Sequence, residues 1–548
     1  MLNIIVENEN VEVVEGTLYY DLAREYERKY KKTPYLVSAD GVTKELRRHV
    51  RQGEDIKFLF FDNDDVKEAY AKTAIFVLLK AIFDIFGNDY DAGLKFRIHN
   101  SYYFEIEGKD VDDTDAFKVK KEYMKIVEDK IFIKKISYQK NDAMKIFSEC
   151  KMDDARLLFR YNYRPVINLR KIDDYVKYIN GSLLYDTSYV KYFEIRKFHN
   201  GLLLELPNND DVMNIQYDIP GEKLFNIHNV SVNWAKKLRI NTVGKLNESI
   251  ADGKFNDLVI MMESFQDKQI GDIAEAILKS NKKLVFIAGP SSSGKTSFAN
   301  RLMYHLRAVE LNPVIISCDD FFVNRVDSPK KPNGEYDFEA IENVDIGLLN
   351  KTLNELLQGN EADIPKFDFF LGEKKFGVNK LKIKKNDIVI VEGIHCLNPV
   401  LTPNVDSNNI FKIYIAALIE VAIDNANRIS TSDLRLIRRI VRDNRARGND
   451  PKKTIKMWKS VREGEEKYIF PFQEEADILF NSALIYEFSV LKIKVLPLLY
   501  RISEDPEVGE TAKRLIKILN YFLGVDTDVI PRHSVIREFI GDSILDVE

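Results

Sequence analysis

One lysine, one threonine and a run of small residues, set between an apolar stretch and a helix-forming one, are where this chain could do chemistry. Leu284-Val285-Phe286-Ile287-Ala288 leads into Gly289, Pro290, Ser291, Ser292, Ser293, Gly294, Lys295, Thr296 and Ser297, the spacing Gly-x-x-x-x-Gly-Lys-Thr. Strand, loop and helix in that order let successive backbone N–H groups turn inward and ring an anion. The helix beginning near Lys295 adds its positive dipole end and unpaired N–H groups. Lys295 then reaches the outer phosphates of a nucleotide, and the Thr296 hydroxyl ligates Mg²⁺.

Two further strands end in acids. Val314–Ser317 runs into Cys318-Asp319-Asp320, and Ile388–Val391 runs into Glu392-Gly393. Carboxylates at the C-terminal ends of parallel strands face the crevice where open α/β sheets bind ligands. Glu392 is the metal-facing acid beside the phosphate loop, a place where many such enzymes have Asp. Arg435, Arg438, Arg439 and Arg442 fall three and four apart, so on a helix they form a cationic stripe. Within it Arg435, and beyond it Arg445, read as a solvated charged face, whereas Arg442 reads as functional.

The elements that must position these groups alternate strand and helix, which implies a parallel sheet with helices on both faces. The chain's 548 residues allow about three or four domains. Apolar residues at 45% and charged residues at 30% describe a globular chain, and 81 Lys+Arg against 86 Asp+Glu give a net charge of −5. That balance does not advertise nucleic acid over the whole surface. Cys150, Cys318 and Cys396 are far apart and lack metal spacing, which points to a reducing, cytoplasmic compartment. Met1–Glu7 has no basic region ahead of a long apolar run, so no signal peptide is expected. The longest apolar stretch, Thr73–Phe86, is interrupted by Lys80 and Asp84 and reads as a buried helix, with no membrane span.

Ahead of the loop, Leu2–Val6 and Val11–Val14 read as strands, Thr17 as a helix cap, and Ile56–Phe61 as a closing strand. Phe96–Ile106 is strand material, and Thr114–Glu128 is a long charged helix. The polar run from Leu206 to Asp211 marks a boundary, followed by helical patterns around Trp234, Leu258–Met262 and Ile270–Leu278. The parsing that results is 1–62, 63–210, a helical connector over 211–280, and 281–548.

Gly16-Thr17-Leu18 with Asp21-Leu22-Ala23 resembles the TGS domain of threonyl-tRNA synthetases, a small β-grasp-like module. Tyr103-Phe104-Glu105-Ile106, Met124–Val127 and Asn141–Phe147 resemble that family's second N-terminal domain, an α+β domain that edits mischarged tRNA. The family edits with a His-x-x-x-His pair on a helix, but the helix over 73–86 contains no histidine. No editing chemistry is therefore expected; His99 and His199 read as structural residues, and residues 1–210 keep a surface for RNA or another partner.

The segment from about Lys282 to Leu499 resembles the uridine kinase/phosphoribulokinase family of P-loop kinases. Asp319-Asp320-Phe321-Phe322, Tyr336–Glu339, Ile364–Phe369, Val391–Ile394 and Arg438–Gly448 match its motifs in order. The resemblance implies ATP as phosphate donor, Asp319 as the base on the acceptor hydroxyl with Asp320 as competitor, and Lys295 on the phosphates. It implies Thr296 and Glu392 on Mg²⁺, and Arg442 and Arg447 closing over the transferring group. Glu339, Phe367 and Arg439 would contact the acceptor, a nucleoside or related small alcohol. Phe367 and Gly372 replace the tyrosine and histidine that hold uridine in the family, and Asn449 and Met457 replace a lid arginine and a glutamine. Each hydrogen bond so lost is worth about 1–3 kcal/mol. These changes keep a second reading in view, a nucleotide-gated RNA- or partner-binding protein with little turnover. Asn481-Ser482-Ala483-Leu484 lies where an adenine ring would rest, and the residues after Val529 read as a helix docking on the kinase domain.

Overall fold

The computed structural model describes residues 1–88, 90–98, 100–207, 212–213, 215, 221–332 and 334–547; His99 and Asn208–Asp211 of the boundary lie outside the described residues. The chain packs as two units, Met1–Pro220 with Ala422–Arg428, and Gly221–Val421 with Ile429–Glu548.

The first unit opens with β1 (Leu2–Val6), β2 (Glu9–Val13), α1 (Tyr19–Tyr30), β3 (Leu36–Ala39), β4 (Val42–Glu45) and β5 (Asp55–Leu59). Their sheet has the order β2-β1-β5-β3-β4, with β1 and β5 parallel and the other pairs antiparallel. Ile4, Val37, Ala39, Ile56 and Phe58 pack with Tyr19, Leu22 and Ala23 of α1. Thr17 does not cap α1: its hydroxyl donates to the Val14 carbonyl, and Asp21 accepts from the Leu18 amide at 2.9 Å, making Leu18 the cap position.

Next come α2 (Asp64–Phe86), β6 (Ala92–Ile98), β7 (Ser101–Ile106), α3 (Asp113–Glu128), β8 (Lys134–Gln139), α4 (Lys140–Glu149) and α5 (Asp153–Arg160). β9 (Val166–Ile172), β10 (Tyr175–Lys177), β11 (Glu194–Phe198) and β12 (Gly201–Glu205) complete the unit's strands. Apolar residues on all sides of α2 make it the buried axis of this part, and Lys80 is accommodated by pairing with Asp84 at 2.6 Å. Residues 1–62 and 63–206 are tied together by a buried ion pair in which both Arg170 and Glu45 are 3% exposed, and Glu45 also accepts from the Leu183 amide at 2.8 Å. Tyr20 stacks on Tyr185 with ring centres 3.7 Å apart. The insertion 422–428 is held in this unit by Asn427, which donates to the Tyr178 carbonyl (2.9 Å) and accepts from the Asn180 amide (2.8 Å).

The second unit begins with α6 (Glu222–Lys237), α7 (Val243–Ala251) and α8 (Phe255–Ser280), which pack inside it. Then follow β13 (Leu284–Ala288), α9 (Lys295–Ala308), β14 (Asn312–Ser317), α10 (Ile346–Leu357), β15 (Ala362–Asp368), β16 (Glu373–Leu381), β17 (Asp387–Glu392) and β18 (Ile410–Ala416). The rest is α11 (Thr431–Ala446), α12 (Pro451–Tyr468), β19 (Ile478–Asn481), α13 (Glu487–Arg501), α14 (Gly509–Leu519) and α15 (Arg537–Ile540). The sheet order is β14-β17-β13-β18-β19, every pair parallel. Val285, Ile287, Ile388, Ile390, Ile413 and Phe480 pack under α8 and α9. Phe286, Val389, Val391 and Tyr414, which alternate with them, are buried as well, so both faces of the sheet are covered. Among the described residues, no helix is long and apolar enough to cross a membrane.

Candidate functional site

The loop after β13 bends by placing Ser292 and Gly294 in the left-handed region, at φ 58° and 86°. Gly289 is required by crowding, because a Cβ there would lie 2.3 Å from the Ile415 carbonyl oxygen. Among the described residues, the buried hydroxyls of Ser292 and Ser293 have no hydrogen-bond partner, so two donors stand ready inside the loop. Lys295 folds across its own loop, donating to the carbonyls of Gly289 (2.9 Å) and Pro290 (3.3 Å).

A charged frame fixes this loop from outside. Glu465 accepts from the Ser291 amide at 3.0 Å and pairs with both terminal nitrogens of Arg435, which donates in turn to the Ser291 carbonyl. Arg438 pairs with Glu487 and donates to the Ser292 carbonyl at 3.2 Å, and the Ser482 hydroxyl donates to the Ser293 carbonyl. Arg439 reaches the Ser291 hydroxyl at 3.1 Å and Asp443 at 3.2 Å. The expectation that Arg435 lies on a solvated face is thus corrected: it is 1% exposed. A guanidinium can be buried there because Glu465, on the neighbouring helix α12, neutralises it and accepts from both of its terminal nitrogens. Arg445 keeps an exposed position, yet its guanidinium donates to the carbonyls of Glu538 and Phe539.

The acids stand at the ends of β14 and β17. Ser317 pairs with Glu392 across the two strands, and Ile287 of β13 pairs with Glu392 from the other side. Asp319 follows within one turn, so both acids adjoin the loop. Burial pushes the Asp319 carboxyl up, Lys295 and Arg447 hold it down, and Asp320 pushes it up again; no hydrogen bond is among these influences. Asp320 is committed elsewhere, accepting from the Phe367 amide and from the Lys366 ammonium, each at 3.2 Å. Glu392 is pushed up to about 7 by burial, against Lys295 and together with the charges of Asp319, Glu538 and Asp320.

Glu339 lies beneath α12, where Gly464 admits it: a Cβ on that glycine would meet the Glu339 Cβ at 2.4 Å. Burial pushes Glu339 up to about 7 against the nearby Arg439. The imidazole of His395 bonds the Glu339 backbone, and burial holds its pKa down at about 4. Phe367 is buried in an edge-on cluster, 5.9 Å from Phe322 and 5.1 Å from Phe369 between ring centres. Met457 is exposed on α12.

Lys295, Asp319 and Glu392 are therefore brought together, with Arg439 linking the loop to Glu339. Arg442 lies 3.2 Å from Asp443 and 3.5 Å from Glu538, while Arg447 is 3.7 Å from Asp443 and acts on Asp319 by its charge. Thr296 and Ser297 occupy the first turn of α9. Glu465, Glu487 and Glu538 were not given a role from the sequence, and Ser482 only as part of the stretch read as a rest for an adenine ring. Their only signal is an excess of arginines on α11 that burial obliges to find acids.

Part of the chain is similar to known proteins. Residues 284–486 match the Phosphoribulokinase / Uridine kinase family. A protein named uridine kinase from Staphylococcus aureus (strain JH9) is 29% identical over 203 residues, which are 36% of this chain and 86% of that protein. Among solved structures, a possible uridine kinase from Bacillus stearothermophilus shares 19% identity, with 39% of this chain and 98% of that one covered and a TM-score of 0.27. D-glycerate 3-kinase from Cryptococcus neoformans shares 17%, with 46% and 86% covered and a TM-score of 0.21. The second unit thus contains a P-loop kinase domain of the phosphoribulokinase/uridine kinase type.

Proposed function

We propose that the second unit moves the γ-phosphate of ATP to a hydroxyl of a nucleoside or related small alcohol. Asp319 carries this reading: just past the end of β14, a carboxylate with no side-chain hydrogen bond among the described residues, in the field of the loop lysine. A protein that only sensed nucleotide would have no use for such a base. Asp319 takes the acceptor's hydroxyl proton as that oxygen bonds to the γ-phosphorus, and the bond to the ADP oxygen breaks. Loop amides and Lys295 hold the phosphates, and Arg442 and Arg447 close over the transferring group. An arginine at that point is worth about 10³-fold or more in rate.

Thr296 and Glu392 suit a divalent cation, since Glu392 sits in a cluster of acids whose burial such a charge relieves. Among the described residues, no set of three or more His, Cys, Asp or Glu forms a metal cage. That fits Mg²⁺, which takes one or two protein ligands plus phosphate oxygens and waters. Bound there, Mg²⁺ would neutralise charge on the outer phosphates.

The edge-on phenylalanines at 322, 367 and 369 support an acceptor with a flat apolar part, and Glu339 supports one with sugar hydroxyls. The relative named uridine kinase supports a nucleoside. Incubation with ATP, Mg²⁺ and a panel of nucleosides and sugars, read as ADP release, tests the reading. Turnover with at least one is expected, and turnover with none would favour the nucleotide-gated binder.

For the first unit, the strand order β2-β1-β5-β3-β4 supports reading residues 1–62 as a TGS-like β-grasp module, with 63–210 as its synthetase-like neighbour. Such a pair would contact RNA, and filter binding of tRNA across a salt series checks it. Retention that does not fall with salt, or no retention, would remove RNA as the partner. The three free thiols support a reducing cytoplasm as the setting.

A further inference from the structure

The donors that open α9 are already occupied by the chain itself. One carboxylate oxygen of Glu538, in α15, accepts from the Ser297 hydroxyl at 2.7 Å and from the Ser297 amide at 3.3 Å. The other oxygen lies 3.5 Å from the Arg442 guanidinium. The segment bearing Glu538 is fastened on both sides. Arg445 donates to the carbonyls of Glu538 (3.2 Å) and Phe539 (3.3 Å), and the Arg438 guanidinium sits 4.9 Å from the centre of the Phe539 ring. On the loop side Val535 closes over Gly294 so tightly that a Cβ there would come within 2.5 Å of its Cγ2. Residues 535–541 thus form a strap across the loop, α9 and α11, and they lie beyond the 284–486 segment shared with the kinase family.

Ser297 belongs to the first helical turn, whose N–H groups have no partner within the helix and favour an anion. Glu538 supplies that anion. A phosphate seated against the same amide would have to share its donor with a carboxylate of like charge in a site shielded from water, where the repulsion is strong. Arg442, meanwhile, is drawn toward the strap. We propose that the 535–541 strap is an intramolecular competitor of the nucleotide: Glu538 occupies a phosphate-binding position and must leave Ser297 and Arg442 before nucleotide binds productively. The strap then sets the fraction of molecules competent to bind, and apparent affinity falls by that fraction. This rests on reading residues 289–297 as the nucleotide site.

The test uses the full chain and a fluorescent N-methylanthraniloyl-ADP probe with Mg²⁺, titrated into the unaltered protein, Glu538→Gln and Lys295→Ala. Glutamine keeps the size of Glu538 and one acceptor oxygen while removing the charge. Glu538→Gln should bind on the order of tenfold more tightly than the unaltered protein, and Lys295→Ala more weakly. Equal or weaker binding by a folded Glu538→Gln, with the unaltered protein still binding, overturns the strap and leaves the nucleotide site standing. No binding by either protein overturns the nucleotide site and the strap together. Hydrogen–deuterium exchange of the unaltered protein gives an arm independent of any variant. Nucleotide should speed exchange across residues 535–541, and unchanged or slower exchange there overturns the proposal.

Discussion

At the phosphate end of the site, Ser291, Ser292 and Ser293 each have a backbone group pinned from outside, by Glu465 with Arg435, by Arg438 and by Ser482. At the acceptor end, Asp319, Glu339 and Glu392 are shaped mainly by burial and by charges they do not touch. The contrast separates two tasks. A ring of amides works only if its geometry is fixed before the anion arrives, which calls for a rigid frame held by paired charges. The roles proposed for Asp319 as base and Glu392 as metal-facing acid would need spare capacity for a ligand, and neither carboxylate has a side-chain hydrogen bond among the described residues.

The contrast can be broken from either end. Lys295→Ala should cost the most, on the order of 10³-fold in kcat/KM, because it removes the loop ammonium proposed to hold the phosphates. ADP release against acceptor concentration measures it. Asp319→Asn should lower kcat by about 10²-fold or more while nucleotide binding survives. Asp320→Asn should instead loosen the β15–β16 hairpin; if Asp320→Asn abolished turnover and Asp319→Asn did not, the two acids would exchange roles. Glu465→Gln breaks a buried pair and leaves Arg435 uncompensated, which should destabilise the protein by about 3–5 kcal/mol, read by urea unfolding.

A gentler test uses pH. Glu339 has an ordinary value of 4.5 and is pushed up to about 7 in the fold, so between those values the folded protein binds the extra proton. Stability should therefore fall as pH rises from 4.5 to about 7 and level off above, and Glu339→Gln should flatten that slope in melting curves. The smallest effect is expected from Phe367→Ala, a rise in acceptor KM of about fivefold to tenfold with little change in kcat, since it removes apolar contact and no charge.

Much of the phosphate loop was legible because its chemistry is local: Gly289 to Ser297 form one turn, and the spacing alone encodes it. The strand ends at Ser317 and Glu392 were legible for the same reason, each a short apolar run followed by an acid. The frame around the loop was not. Arg435 looks like a surface residue until Glu465 is brought beside it, and that pairing is decided by how α11 and α12 pack. Thr17 likewise has the right side chain for a cap but spends it on Val14. Glu538 was hidden by distance, lying 241 positions from Ser297. Nothing in Arg537-Glu538-Phe539 foretells which donor its carboxylate will find.

The insertion at 422–428 imposes an order of events on the growing chain. Residues 1–220 leave the ribosome early, yet the seven-residue piece that completes their unit, with Asn427 against Tyr178 and Asn180, is made only after the whole stretch 221–421 has been translated. Until then the Tyr178 carbonyl and the Asn180 amide lack the Asn427 partner they have in the folded unit. Synthesis from the front therefore does not yield a finished front.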